Sequence, residues 1–312
     1  MSHTENLSTS RRVSRRTLRR EVPSTVALLA DREDFTAMRS YSTFAFHDHA
    51  QYLRQMQGLL RSLAARGIHI SVALFDPAEF AAYCADTGQD PDTAATRSRY
   101  IAEVAAGGAT VPYQGQPVDH LVSQLIGAAD RRATWEHATE LLARASGCDA
   151  CAGGGHNAAF DRASEALSRL LRAAGTGRHH LVCSVPVVRI DAGPDAMVAE
   201  ESPPLAGVLR ARCADDGTVQ LGETDALVFC TVLAVGLATG SPGGVVLRTG
   251  RGTPGEPDRV RGWSLRDGWL HPLTEAEVFN AYCTDAETGE PVPPEPGVTY
   301  CAGTPLPPPS DA

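Results

Sequence analysis

The residues best suited to chemistry fall in three places. His47-Asp48-His49 sets two imidazoles beside a carboxylate, a group that can ligate a metal or share acid–base work near neutral pH. Asp76 ends the apolar run Ile68–Phe75 and opens Asp76-Pro77-Ala78-Glu79. A carboxylate at such a junction can hold a metal, a sugar hydroxyl or a phosphate-linked cation. Cys148-Asp149-Ala150-Cys151, with His156 beyond, supplies three metal ligands or a thiol redox pair.

Each set has a plain structural alternative. Asp48 and Asp76 have the type and position of helix N-caps, whose side chains accept from free backbone N–H groups. The Cys-x2-Cys-x4-His spacing needs a fourth metal ligand from afar, such as Asp161, His179 or His180. A redox pair would follow a strand, whereas Cys148 follows a helical pattern. Gly153-Gly154-Gly155 lacks the Lys-Ser/Thr of a phosphate loop, and no Gly-x-Ser-x-Gly or His-Glu-x-x-His occurs.

The elements that must position these groups follow from apolar spacing. Residues 39–46 carry aromatics at 41, 44 and 46 and read as a strand. Tyr52, Leu53, Met56, Leu59, Leu60 and Leu63 form one helical stripe. Ile68–Phe75 reads as a strand, 92–106 as a helix and Ala109–Tyr113 as a short strand. Strands alternating with helices imply a mainly parallel sheet with helices on its faces. His47–His49 and Asp76 would then lie beyond strand carboxyl ends, where open α/β sheets bind ligands. Val118 to Leu171 is helical, broken by the glycines at 147–155. From His179 the pattern is strand-like: 180–190, 205–214, 218–221, 226–238, 244–249 and 259–265. The run Ala226–Thr239 is the most apolar and reads as a buried strand.

One phrase occurs twice, about 200 residues apart. Phe80-x-x-Tyr83-Cys84-x-Asp86 and Phe279-x-x-Tyr282-Cys283-x-Asp285 both follow a helix-start signal. Their spacing puts Phe and Tyr on one helical face. Residues 75–88 and 270–289 are therefore expected to share local structure.

The fold expected is α/β or α+β: a mainly parallel N-terminal βαβ-like sheet flanked by helices, with a β-rich C-terminal half that extends it. Residues 1–23 read as a disordered Arg-rich arm. Residues 24–289 read as one unit, divided into 24–115 (βαβ-like), 116–178 (helical) and 179–289 (β-rich). Residues 290–312 read as a Pro-rich irregular tail.

A formal net charge of -9 argues against nucleic-acid binding by the folded body and leaves that role to the Arg-rich arm. No apolar run reaches the roughly 18 residues of a membrane span, so no membrane partner is expected. The absence of a secretory pattern, eight cysteines read as reduced, and an Ala- and Arg-rich composition of bacterial type give a cytoplasmic expectation. Homo-oligomer formation stays open, and no cofactor can be named. The leading functional expectation is a ligand-sensing or regulatory protein that binds a small molecule near His47, Asp48, His49 and Asp76. The alternatives are a hydrolase or transferase working from the same His/Asp crevice, with or without a metal, and an interaction scaffold using the Arg-rich arm.

Overall fold

In a computed structural model describing residues 24–145, 155–186, 204–250, 255–285 and 288–308, the segment Ser24–Leu28, apolar from Val26 on, forms strand β1. Helices α1 (Arg32–Met38) and α2 (His49–Ala65) carry the chain to β2 (Ile70–Leu74), which pairs parallel to β1 from Ser24↔Ile70 to Leu28↔Leu74. Helices α3 (Pro77–Thr87) and α4 (Ala94–Gly107) lead to β3 (Thr110–Pro112), antiparallel to β2. The sheet order is β1-β2-β3.

Alternation along the strands gives this small sheet two buried faces. Ala27 meets Phe35, Met38, Phe80, Cys84 and Tyr100 in one cluster. Leu28, Ile70 and Val72 meet Leu60 of α2 in another, together with Val118, Leu121 and Leu125 from the start of α5 (Val118–Ala145). The contacts close a first compact unit at Asp130 and a second from Arg131, within the span that the sequence reads as one unit.

Residues 39–46 are not a strand. Tyr41 N–H bonds to Met38 O and Phe44 N–H to Tyr41 O, so the segment runs as successive turns. Its aromatic spacing serves packing instead: Tyr41 meets Phe80 edge-on at 5.9 Å, and Phe44 meets Phe35 at 5.5 Å. Asp92 fixes the turn by accepting from Ser42 N (2.9 Å), Ser42 Oγ (2.6 Å), Thr43 N (2.8 Å) and Thr43 Oγ1 (2.7 Å).

The second unit contains α6 (Gly155–Ala174), β4 (Gly177–Val185), β5 (Leu205–Cys213), β6 (Val219–Leu221) and α7 (Glu223–Thr239). Strands β7 (Gly243–Gly250), β8 (Asp258–Arg266) and β9 (Trp269–Pro272), helix α8 (Glu275–Tyr282) and strand β10 (Val298–Tyr300) follow. The order is β10-β8-β7-β4-β5-β6, with β9 beside β8. All pairs are antiparallel except β10 with β8. Among the described residues no strand of this sheet pairs with the first, so the β-rich half forms its own sheet and does not extend the N-terminal one.

The run read as a buried strand, Ala226–Thr239, is helix α7. Ten consecutive residues from Val228 to Leu237 are buried, and a helix apolar on every side is a core helix. Its 17 residues exceed ordinary strand length, and glycines stand at both ends, Gly222 and Gly240. It packs on β4, β5 and α6. Gly207 of β5 permits this: a Cβ there would lie 2.8 Å from Phe229 Cα. The other sheet face is covered only in part, where Val278 and Cys283 pack over Val260 and Tyr300.

Both copies of the doubled phrase begin in helices that follow strands, capped by Asp76 and Thr274. The first lies wholly within its helix, while the second leaves it after Tyr282, with Cys283 as C-cap and Asp285 beyond. The copies differ in phase. Phe80 is the fourth residue after its cap and fully buried, whereas Phe279 is the fifth and 40% exposed; the fourth place belongs to the buried Val278. One residue is about 100° of helix rotation, so identical letters face different surroundings.

Candidate functional site

The four residues nominated at the first sheet sit at the carboxyl ends of β1 and β2. Asp48 Oδ2 accepts from Gln51 N at 2.7 Å and caps α2. Asp76 Oδ1 accepts from Ala78 N at 2.7 Å and Glu79 N at 2.9 Å and caps α3. His49 Nε2 lies 3.1 Å from Leu29 O; a carbonyl only accepts, so Nε2 carries the hydrogen. Tyr52 Oη accepts from Leu29 N at 3.2 Å, and burial pushes its hydroxyl up to about 12. Helix α2 thereby binds both backbone groups of Leu29 and seals the end of β1. His47 is exposed. Among the described residues no hydrogen bond or ion pair joins His47 or His49 to Asp76.

Carboxylates do gather at this edge. Partial burial, then the charges of Asp31, Asp76 and Glu33, raise the carboxyl of Asp34 above its ordinary value. Asp31 is itself the cap of α1, accepting from Asp34 N at 2.8 Å. Among the described residues no three His, Cys, Asp or Glu side chains form a metal-binding group. Cys148 and Cys151 lie outside the described residues, as does the side chain of His156.

A second site lies on the open face of the large sheet. Along β4, Arg178 and His180 point outward while His179 and Leu181 point into the core. Along β5, Arg210 and Arg212 point outward, and on β7 Arg248 does. The register sets Arg178 directly opposite Arg212, and His180 opposite both Arg210 and Arg248. These side chains line an open concavity of about 830 Å³, bounded by Gln220, Leu221 and Gly222 on one side and by Gly250 and Asp258 on the other. That volume is within the range of small-molecule sites.

The five basic groups are not equivalent. Arg248 is neutralised: its Nε donates to Asp258 Oδ2 at 2.7 Å, and Nη1 and Nη2 donate to Glu295 at 2.8 and 2.9 Å. Those bonds raise its already high proton affinity. Among the described residues Arg178, Arg210 and Arg212 have no ion-pair partner. Partial burial, then the charges of Arg210 and Arg248, hold His180 below the ordinary imidazole value. At neutral pH it therefore offers one donor and one acceptor. Behind it, His179 is buried and held by Thr249 Oγ1 (3.1 Å) and Gly175 O (3.0 Å), a structural role.

Like charges directly opposite on paired strands are destabilising, and an anion between them would relieve that repulsion. Guanidinium groups present planar forks that match carboxylate and phosphate oxygens. Sequence reading missed this site because its residues come from three distant segments. The available signal was alternation, Arg178-x-His180 and Arg210-x-Arg212 in strand-like runs, which puts each pair on one face.

A family model described as a domain of unknown function (DUF8829) matches residues 13–116, about a third of the chain. The match takes in β1 to β3 and ends before the arginine face begins. No curated protein and no solved structure matches the chain.

Proposed function

We propose that this protein binds a small anionic ligand, bearing carboxylate or phosphate groups, on the arginine face of the second unit, and that it works as a sensor or regulator. The observation that carries the reading is Arg178 facing Arg212 across paired strands, beside Arg210, with none of the three ion-paired among the described residues. A carboxylate or phosphate would accept bidentate hydrogen bonds there, and His180 supplies a neutral contact for orientation. A bacterial cytoplasmic setting belongs to the same proposal. Its support is the Ala- and Arg-rich composition and the free state of the six described cysteines. No helix among the described residues is long and apolar enough to cross a membrane.

The test is thermal unfolding of the full chain with phosphate, pyrophosphate, citrate and a nucleoside triphosphate, against chloride at equal ionic strength. A ligand at a hundred times its Kd stabilises by about 2.7 kcal/mol. For a unit this size that is a rise in Tm of about 5–11 °C. No selective rise with any multivalent anion sinks the reading.

A second reading keeps the ligand at the carboxyl ends of β1 and β2, and the crowding of Asp31, Asp34 and Asp76 favours it. That edge suits a polyhydroxylated molecule. A selective stabilisation by a sugar that Asp34→Asn removes would support it. The hydrolase or transferase reading calls for a histidine against Asp76, and among the described residues no hydrogen bond or ion pair joins the two. The scaffold reading rests on residues 1–23, which lie outside the described residues.

A further inference from the structure

The proline-rich end of the described chain is held as a groove holds a peptide. Beyond β10, Gly303 N donates to Leu273 O at 2.8 Å, and among the described residues no backbone–backbone hydrogen bond follows it. Thr304-Pro305-Leu306-Pro307-Pro308 lies in neither helix nor strand. Side chains hold it instead. Trp263 Nε1 donates to Thr304 O at 2.8 Å, and Trp269 Nε1 donates to Leu306 O at 2.7 Å. Arg169 donates to Pro307 O. The Leu306 side chain is buried in the main core cluster, to which Trp263 and Trp269 also belong. The guanidinium carbons of Arg162 and Arg169 each lie 5.9 Å from the Trp269 ring centroid, within cation–π range. A concavity of about 630 Å³ runs beside the segment, lined by Arg162, Asp267, Trp269, His271, Pro305 and Pro308.

These features are those of proline-segment recognition: aromatic walls, indole donors to alternate carbonyls, and a ligand whose prolines limit the ordering entropy. The segment belongs to no sheet ladder; its release breaks three side-chain hydrogen bonds to its carbonyls and uncovers Leu306, contacts that an incoming segment of the same sequence would remake. We propose that Trp263, Trp269, Arg162 and Arg169 form a receptor for a Pro-Leu-Pro-Pro segment, occupied in cis by Pro305–Pro308 and open to the same chemistry on a partner protein when that segment withdraws.

The test uses the full chain, a Leu306→Asp variant of it, and a fluorescent synthetic peptide of Thr304–Ala312, with binding read by anisotropy. The cis segment competes in the wild type and lowers apparent affinity by the fraction of open groove. Leu306→Asp should therefore bind the peptide at least about tenfold more tightly. Adding Trp269→Phe keeps a ring but removes an N–H donor, and should weaken binding by roughly five- to tenfold. A folded Leu306→Asp chain that binds no peptide overturns the proposal. If that variant unfolds, Leu306→Ala replaces it; unfolding of both makes the segment an integral part of the core and also overturns it. Self-association of the wild type without peptide binding would put exchange between copies in its place, against the proposal.

Discussion

Phe80→Ala and Phe279→Ala delete the same letter from the same phrase and should differ sharply in cost. Phe80 is fully buried, with ring centroids of Phe75, Tyr100 and Tyr41 at 5.2, 5.4 and 5.9 Å. Truncating such a residue loses transfer energy and leaves a cavity, together about 3–5 kcal/mol. Phe279 is 40% exposed and has one ring partner among the described residues, Tyr300 at 5.2 Å. Full burial of a phenylalanine stabilises by about 1.5–3 kcal/mol. The buried part here corresponds to about 1–2 kcal/mol, with no enclosed cavity to add. Urea unfolding separates the two. With a slope of about 2 kcal/mol per molar, Phe80→Ala should lower the midpoint by about 2 M and Phe279→Ala by about 0.5–1 M. All three tryptophans, Trp135, Trp263 and Trp269, belong to the second unit. Indole fluorescence therefore follows Phe279→Ala, and far-UV circular dichroism follows Phe80→Ala. Equal midpoint shifts would refute the argument that a one-residue change of phase separates the copies.

Other outcomes follow from named contacts. Gly207→Ala forces a Cβ to within 2.8 Å of Phe229 Cα, a backbone atom of the core helix. It should destabilise the second unit by about 1–3 kcal/mol or more, read as a lower Tm by tryptophan fluorescence. The Asp92 carboxylate is held well below 3.8 by hydrogen bonds from Ser42 and Thr43. Because its folded pKa is depressed, that stabilisation is full at neutral pH and is lost as pH falls below 3.8 toward the folded value. The Tm gap between wild type and Asp92→Asn should thus narrow toward acid, and a gap that is constant or widens there contradicts the assignment. Asp34 has the opposite sign. Its raised carboxyl costs stability once pH rises above its ordinary value, so Asp34→Asn should raise Tm at neutral pH and not at about pH 3. A loss of Tm at neutral pH would count against the crowding of acids at that edge.

In the first unit α2, β2, α3, α4 and β3 were legible from the sequence, α2 and α3 through their caps Asp48 and Asp76, whereas β1 and α1 (Arg32–Met38) went unread. Two other segments were misread. Residues 39–46 space their aromatics like a strand, but the rings fill gaps between helices while the backbone turns. Ala226–Thr239 has no polar face, and without one the periods of helix and strand cannot be told apart; its length and flanking glycines were the better guide. The arginine face was hidden for another reason. Arg178, Arg210 and Arg248 become neighbours only through the antiparallel register, which local pattern does not specify. The His/Asp groups stood out because they are adjacent in sequence. In the structure Asp48, His49 and Asp76 each cap a helix or seal a strand end.

The central claim is anion binding by Arg178, Arg210 and Arg212, none of them ion-paired among the described residues. Its most direct measurement is isothermal titration of pyrophosphate into the wild type and Arg212→Glu, at low and at physiological salt. Arg212→Glu turns the pair with Arg178 from like to opposite charge, a gain of about 0.2–1 kcal/mol. Its Tm should therefore hold or rise while binding is lost, and wild-type binding should weaken with added salt. Equal affinity in wild type and Arg212→Glu, or affinity indifferent to salt, would contradict the account.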